Sequence, residues 1–182
     1  KKCKNCLQGF NTRFSTLEKY CWNPDCKTIE GLLKLEKLKN KDQAKNRKRT
    51  KELKEELETI QQKVIRVQRV VNTFVRLRDQ GNKCISCTTI LKGKFDAGHY
   101  YNSNNHWNIR FDLKNINGQC VKCNQHLSGN LIFYRFGLIG KIGSKEVLRL
   151  DQEANKIRKF TKYELQEILE EFKFMIKNYK YG

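Results

Sequence analysis

The chain has 182 residues and a formal charge of +19, from 38 Lys and Arg against 19 Asp and Glu. The length suits one or two small domains, and a hydrophobic content of 38% supports only a modest core. The charge exceeds what solubility requires and indicates a polyanionic partner. No apolar run approaches the roughly 20 residues of a membrane span, and the N-terminus lacks a hydrophobic signal core. We therefore exclude a membrane protein and expect a soluble, cytoplasmic one.

The first 30 residues contain two cysteine pairs in a segment too short to fold without a cross-link. This first cysteine group predicts a four-cysteine zinc knuckle over residues 1–30, from Cys3, Cys6, Cys21 and Cys26. Free thiols or disulfides are the alternative. Because all eight cysteines of this basic, signal-free chain occur in close pairs, zinc is the better interpretation.

Residues 31–80 are predicted to be a basic helical region, since they contain no Pro and only one Gly. A coiled-coil seam with alternating steps of four and three runs through Leu53, Leu57, Ile60, Val64, Val67, Val71 and Phe74. This stripe needs a partner helix, either in a second protomer or at the C-terminus of the same chain. We predict a homodimer.

The first half of this helical region is crowded with cations. This basic strip includes Lys45, Arg47, Lys48 and Arg49. Two interpretations remain open, a solvated helix face and a surface that contacts the phosphate backbone of a nucleic acid.

Residues 81–143 are predicted to contain the chemistry. A second cysteine group of two C-x-x-C knuckles, thirty-two residues apart, predicts another structural zinc at Cys84, Cys87, Cys120 and Cys123. Four thiolates leave no open position on that ion, so catalysis must use other residues and another metal.

His99 is the candidate general base, because it lies in an aromatic-rich extended segment, where a strand is expected to leave the core, and imidazole titrates near neutral pH. Gly98 before it would let a phosphate or neighbouring backbone come close. Asn124 follows the last zinc ligand, at the start of a helical run that extends to Phe136 with Gly137 as its stop. Its amide oxygen suits Mg²⁺ or Mn²⁺, with plain helix capping as the alternative.

The remaining candidates carry weaker signals. His126 could contact a phosphate, protonate the leaving oxygen or only pack, and His106 favours a structural or DNA-contact role. Arg110, Arg135 and Lys141 are candidate phosphate contacts.

Residues 144–182 are predicted to be helical, with a capping box at Thr161–Glu164 that opens an amphipathic helix of core or interface character.

The segments Asp96-Ala-Gly-His99, Asn115 and Cys120-x-x-Cys123-Asn124 resemble the HNH, or His-Me finger, nucleases. The resemblance implies an α+β fold with a small zinc-stapled ββα-metal core. It also implies that His99 is the base, Asn115 pins a loop and Asn124 binds the metal. The phage endonuclease VII resolvases are similar in having Asn at that position. Gly98 departs from members with a metal ligand before the base, and leaves open whether Asp96 touches the metal.

A wider likeness covers nearly the whole chain, weakest in its helical middle. Asp96-Ala-Gly-His-Tyr100, Arg110-Phe111-Asp112, Gln119-Cys120, Cys123-Asn-Gln-His126, Ser128-Gly129-Asn130 and Tyr134-Arg135 resemble the NinG/Rap recombination proteins of phages. That resemblance implies a structure-selective endonuclease for Holliday junctions and displacement loops, working in the host cytoplasm. The alternatives are a nicking nuclease for linear duplex and a noncatalytic zinc module that binds DNA.

Overall fold

The computed structural model describes the backbone of residues 1–181 and the side chains of residues 1–179. It contains two compact units, Lys1–Glu58 and a unit that begins at Thr59. The composition is α+β, as predicted, with five α-helices and one small antiparallel sheet in the described residues. Among those helices, none has both the length and the apolar character that crossing a membrane requires.

The N-terminal unit consists of a cysteine-rich turn region and one long helix. An isolated bridge pairs Lys2 with Gly9, and helix α1 spans Pro24–Leu57. Asn23 caps α1 by accepting a hydrogen bond from the Asp25 amide, and Pro24 fits the first helical position because its missing N–H would be unpaired there anyway. Along α1 only Cys26 is buried.

The predicted helical region 31–80 is divided at Glu58 and Thr59. Thr59 caps helix α2, Ile60–Asp79, through a reciprocal capping box with Gln62, so the chain starts a new helix instead of continuing α1. The seam therefore does not run through one helix. Leu53 and Leu57 lie at the end of α1 and are exposed, which corrects the predicted domain boundary and the continuous coiled coil.

The rest of the heptad stripe lies in α2 and is covered within the same chain. Helix α5, Lys162–Tyr181, packs against it, and the shared core contains Val64, Val67, Val71, Phe74, Leu165, Leu169 and Phe172. The predicted capping box at the start of α5 is present, since Thr161 and Glu164 exchange hydrogen bonds. Of the two partners left open by the sequence, the C-terminal helix is the one observed.

Between α2 and α5 the chain forms a two-stranded sheet and two further helices. Strand β1, Asp96–His99, pairs antiparallel with β2, Ile116–Gln119, in the register Asp96 to Gln119 and His99 to Ile116. A short 3₁₀ turn, Trp107–Ile109, lies between the strands, and a π-helical turn, Lys122–His126, follows β2. Helices α3, Leu131–Ile142, and α4, Ser144–Ala154, pack on each other around Tyr134, Leu138, Val147 and Leu150.

The predicted helix from Asn124 to Phe136, with Gly137 as its stop, is wrong in both respects. Ser128, Gly129 and Asn130 have positive φ and interrupt it, so α3 begins only at Leu131. Gly137 lies inside α3, where an added Cβ would collide with the Ile85 carbonyl oxygen. Gly137 is therefore a close-packing position, and Gly143, with φ of 83°, ends the helix.

Candidate functional site

Both predicted cysteine groups converge, and each could hold a zinc ion. Within each group all four sulfur atoms lie within 4.8 Å of one another. The Cys6 and Cys21 sulfurs are 3.7 Å apart, and those of Cys87 and Cys120 are 3.8 Å apart. Tetrahedral zinc with bonds of about 2.3 Å separates its sulfur ligands by about 3.8 Å. The donor set and its spacing therefore fit zinc in both places.

Backbone amides near the cysteines further support thiolate ligands. The Cys21 amide donates to the Cys3 sulfur at 3.2 Å, and the Cys120 amide donates to the Cys84 sulfur at 3.3 Å. Hydrogen bonds to a thiolate stabilise the form that binds a metal. In the second group, the Asn130 side chain also lies 3.5 Å from the Cys123 sulfur.

Asp96 fixes the orientation of the Asn124 side chain. The Asn124 amide nitrogen donates to Asp96 Oδ2 at 2.9 Å, and Gln125 donates to the same oxygen at 2.7 Å. A carboxylate oxygen accepts, so the Asn124 nitrogen must face Asp96 and its Oδ1 must face elsewhere. A Cβ built on Gly98 would lie 3.2 Å from this Oδ1. The Asn124 oxygen is thus held beside β1, and the residue does not act as a helix cap.

Two amide side chains approach Gly98 closely. An added Cβ would collide with Gln119 Oε1 as well as crowd Asn124. The sequence predicted space for a phosphate or for neighbouring backbone, whereas the structure fills that space with two amide side chains.

His99 lies at the end of β1 with one ring nitrogen engaged. Its Nε2 is 3.2 Å from the Arg110 carbonyl oxygen, which can only accept, so Nε2 carries the proton and Nδ1 has the lone pair. Burial lowers the pKa of His99 from 6.5 to about 4. This net shift in pKa combines the dominant effect of burial with an opposing effect of the bond to the Arg110 carbonyl and a smaller lowering by the charge of Arg110. His99 is therefore a neutral imidazole at neutral pH, the form that accepts a proton.

Asn115 is completely buried and holds the loop between the strands. Its Oδ1 accepts from the Tyr101 amide at 2.8 Å, and its nitrogen donates to the carbonyls of Tyr101 and Ile109. These three bonds fix the segment that leads to Arg110, and thereby the carbonyl that His99 contacts. This geometry is what a loop-pinning residue would have.

His99 and Asn124 line one polar cleft of about 580 Å³. One wall is a loop that carries amide and hydroxyl side chains, and the other includes the turn after Asn124. The further lining residues are Ala97, Tyr100, Tyr101, Asn102, Ser103, Asn104, His106, Ser128, Gly129 and Leu131. The structure thus brings the predicted base and the predicted metal ligand to the same cavity.

The three cations predicted to contact phosphate near the site each have hydrogen-bond partners within the protein. Arg110 is 8% exposed and donates to Gln68 and to the Ser103 carbonyl. Arg135 forms a two-pronged ion pair with Asp151. Lys141 donates to Asn117 at 2.7 Å. These bonds position the three side chains, but Arg135 and Lys141 remain 39% and 42% exposed, so their contact with phosphate stays a prediction. Lys45, Arg47, Lys48 and Arg49 are exposed on α1.

The other two histidines lie in different environments. His126 is exposed and is not among the residues that line the cleft. His106 lines the cleft, and its Nδ1 lies 2.8 Å from the Ala154 carbonyl, to which it donates. Of the two roles predicted for His106, this contact fits the structural one, and a DNA contact stays a prediction.

Four further polar residues of the site had no role predicted from the sequence. Tyr134 donates to the Gly98 carbonyl, Asp79 accepts from the Gly118 amide, and Gln119 donates to the Gly129 carbonyl. Gln68 reaches the site from α2. The alternation Asn115, Asn117, Gln119 resembles a solvated strand edge, and only the fold shows that all three are buried.

These observations define an α+β protein with two four-cysteine groups and a polar cleft beside the second group. A sequence model for the family described as Bacteriophage Lambda NinG protein matches residues 1–181. The chain belongs to the NinG family.

Curated relatives share about half of the chain. It is 46% identical to "Protein ninG" of Escherichia phage 933W over 91 residues, 50% of this chain and 45% of that protein. The protein of the same name from Escherichia phage lambda is 45% identical over equal shares, and that from Salmonella phage P22 is 41% identical over 61% and 54%. The chain thus spans about half the length of these relatives. No solved structure matches it.

Proposed function

We propose that the protein is a metal-dependent DNA endonuclease in which His99 is the general base and Asn124 is the ligand of the catalytic cation. The observation that carries the proposal is the meeting of a neutral imidazole and an oriented amide oxygen in one cleft. Phosphodiester hydrolysis needs a base for water and an electrophile for the phosphate, and this pair can supply both.

His99 would take the proton from the attacking water at Nδ1. Its other nitrogen donates to the Arg110 carbonyl, which leaves that lone pair available. A bond at one imidazole nitrogen sets which tautomer the other presents, as in other histidine bases. Asn115 would act indirectly, by fixing the loop that carries this carbonyl.

Asn124 would hold the cation through Oδ1, because its nitrogen is committed to Asp96. Amide and carboxylate oxygens are the donors that Mg²⁺ and Mn²⁺ prefer, so the residues fit such an ion. When bound there, the ion would supply Lewis-acid stabilisation of the phosphate charge. Asp96 would orient Asn124, and a direct contact of Asp96 with the ion is the alternative.

The lining of the cleft favours a metal-dependent reaction over one that relies on protein cations. None of its lining residues, within the part of the chain that the structure describes, is Lys or Arg. A phosphate in the cleft would meet amides, hydroxyls and two histidines. The negative charge that develops during cleavage would then require a bound cation.

The resemblance to recombination nucleases extends the proposal to branched DNA as substrate, in the host cytoplasm. The relatives' names give no activity, so the proposal of a branched substrate rests on the motifs alone.

A homodimer is also proposed. Because α5 covers the stripe of α2, a dimer contact would have to use other surfaces. Light scattering at micromolar concentration tests it, and a monomer mass contradicts it.

The test compares cleavage of a four-way junction, a displacement loop and linear duplex, with and without Mg²⁺. We expect Mg²⁺-dependent cleavage that prefers the branched substrates. Loss of His99 removes a general base worth roughly 10²- to 10⁴-fold, so His99→Ala should cleave that much more slowly and still bind.

His126→Ala is the matched control, an exposed histidine outside the cleft. Wild-type rates from His99→Ala would refute the assignment, and equal rates on all three substrates would refute the preference for branches. Binding without cleavage under every condition would favour the noncatalytic DNA-binding module.

A further inference from the structure

The side chain of Gln68 reaches the proposed base from helix α2. Its Oε1 accepts a hydrogen bond from Arg110 Nε at 3.1 Å, and its Nε2 donates to Asn72 Oδ1 at 2.9 Å. The same Nε2 lies 3.4 Å from His99 Nε2. Because a guanidinium can only donate, the Gln68 atom that faces Arg110 must be the oxygen. The orientation of the amide is thereby fixed.

Arg110 is the link between this amide and the base. Its guanidinium is held by Gln68 and by the Ser103 carbonyl, and it lies 5.6 Å and 5.8 Å from the ring centroids of Trp107 and Phe111. The backbone carbonyl of Arg110 accepts from His99 Nε2. A side chain fixed on several sides holds its own backbone in place, so the carbonyl depends on these contacts.

The two neighbours of His99 Nε2 favour opposite tautomers. The Arg110 carbonyl favours a proton on Nε2, whereas a donated hydrogen from Gln68 would favour a lone pair there. The Gln68 amide has two hydrogens, and Asn72 accepts one of them at 2.9 Å, while the contact of this nitrogen with His99 Nε2 is longer, at 3.4 Å. The Arg110 carbonyl is nearer to His99 Nε2, at 3.2 Å, and an unprotonated Nε2 would face it with a lone pair against a lone pair. The proton therefore belongs on His99 Nε2.

We propose that Gln68 is a positioning residue that selects the tautomer of His99 in which Nδ1 can act as a base. Gln68 holds Arg110 through its oxygen and thereby keeps the Arg110 carbonyl, which sets the His99 proton, against the imidazole ring. The effect of this tautomer on catalysis rests on the proposed function. The tautomer itself can be tested whether or not the protein is a nuclease.

The charged and titratable groups around the ring are few. Arg110 follows the 3₁₀ turn, Asp96 lies on the same strand, and Tyr101 and His106 lie in the cleft wall. Gln68 and Asn72 of α2 are neutral. A new carboxylate at position 68 would therefore be the nearest negative charge from that helix.

The experiment uses the full chain with ¹⁵N-labelled histidine and nuclear magnetic resonance of the imidazole nitrogens, assigned with His99→Ala. In the wild type we expect His99 with its proton on Nε2. Gln68→Leu, of similar size, removes the acceptor for Arg110 and should give a mixture of tautomers. It should also slow junction cleavage by about 10-fold, part of the factor that a general base contributes, with DNA binding unchanged.

Gln68→Glu keeps an acceptor for Arg110 and should preserve the Nε2–H tautomer. Its negative charge should raise the pKa of His99 and move the acid limb of the cleavage rate to higher pH. Gln61→Leu, an exposed glutamine of the same helix, is the control and should match the wild type.

A wild-type His99 protonated on Nδ1, or Gln68→Leu with an unchanged tautomer and rate, would overturn the proposal. If Gln68→Leu does not fold, Gln68→Glu still decides, because a lost Nε2–H tautomer or an unmoved pKa contradicts the proposed contact. If the wild type cleaves no DNA, the proposed function fails while the resonance data still test the role of Gln68.

Discussion

The two cysteine groups have the same donor set but different surroundings. Within residues 1–58, all of which the structure describes, only Cys3 and Cys26 are buried. The second group packs with Leu91 and Phe95 in a unit that also has two larger cores. Small segments without a core depend on a metal for their fold. We therefore expect a zinc ion at the first site to maintain the local fold, and one at the second site to position the polar cleft beside it.

Removal of zinc should have the largest effect of the changes that distinguish the two cysteine groups. Structural zinc contributes an apparent free energy of roughly 10–16 kcal/mol in small zinc modules. With a strong chelator, amides of residues 1–22 should lose their protection from hydrogen exchange, while those of α2 and α5 keep theirs. Simultaneous loss in both regions would show that the units do not differ in this way.

Substitution of one cysteine in each group should change the cleavage rate by different amounts. Cys84→Ser removes one ligand of the four-cysteine group beside Asn124 and should lower the cleavage rate by more than about 100-fold, since 1 Å of misplacement can have an effect of that size. Cys3→Ser is the matched variant and should leave the rate at saturating DNA near that of the wild type. Equal losses would contradict separate roles.

Apolar substitutions should distinguish the helices of the two units. Leu169→Ala on α5 removes a fully buried side chain and should lower the free energy of unfolding by about 2–5 kcal/mol. Leu35→Ala on α1 removes a side chain that is 63% exposed and should change it by less than about 0.5 kcal/mol. Urea denaturation measures both. A large effect at Leu35 would reveal a partner for α1.

Acid should affect the C-terminal unit, which contains all three histidines. Because the pKa of folded His99 is lowered to about 4, the unfolded chain binds more protons between about pH 6.5 and pH 4. Stability from this group is therefore complete above about pH 6.5 and declines as the pH falls towards 4. Denaturation between pH 4 and 7 should show this slope, and His99→Gln should reduce it. An identical slope in both proteins would contradict the buried neutral imidazole.

The smallest effect is expected from the exposed cations of α1. Replacing Lys45, Arg47, Lys48 and Arg49 with Gln should weaken DNA binding and flatten its salt dependence by up to about 0.9 units of slope for each phosphate that is no longer neutralised. The cleavage rate at saturating DNA should not change. Lys83→Gln, a single exposed cation outside α1, is the control, and an unchanged slope in the fourfold variant would identify the helix as a solvated face.

Local patterns predicted much of the fold. The pairing of cysteines, the capping box at Thr161 and the apolar faces of α2 and α5 all depend on spacing along the chain, which is visible without coordinates. The same reasoning failed at Glu58–Thr59 and at Gly137. At the first position a capping box outweighed a continuous heptad pattern, and at the second a tertiary contact with Ile85 required the glycine.

The sequence also predicted part of the candidate site. Residue type and order identified His99, Asn115 and Asn124 as candidates, because the chemistry of a base and a hard-metal ligand restricts the choice. Order along the chain does not say which cations remain free. Arg110, Arg135 and Lys141 looked like phosphate contacts, yet each has partners distant in sequence that only folding brings near.

By itself the sequence determined the two zinc-compatible groups, the basic character, the amphipathic helices and the identity of the candidate base and ligand. These depend on composition and on short-range spacing, which are fixed before the chain folds. The tertiary structure decided that α5 covers α2, that Asp96 orients Asn124 and that Gln68 reaches His99. These contacts join residues 28 to about 100 positions apart, and their geometry depends on how whole helices and strands pack.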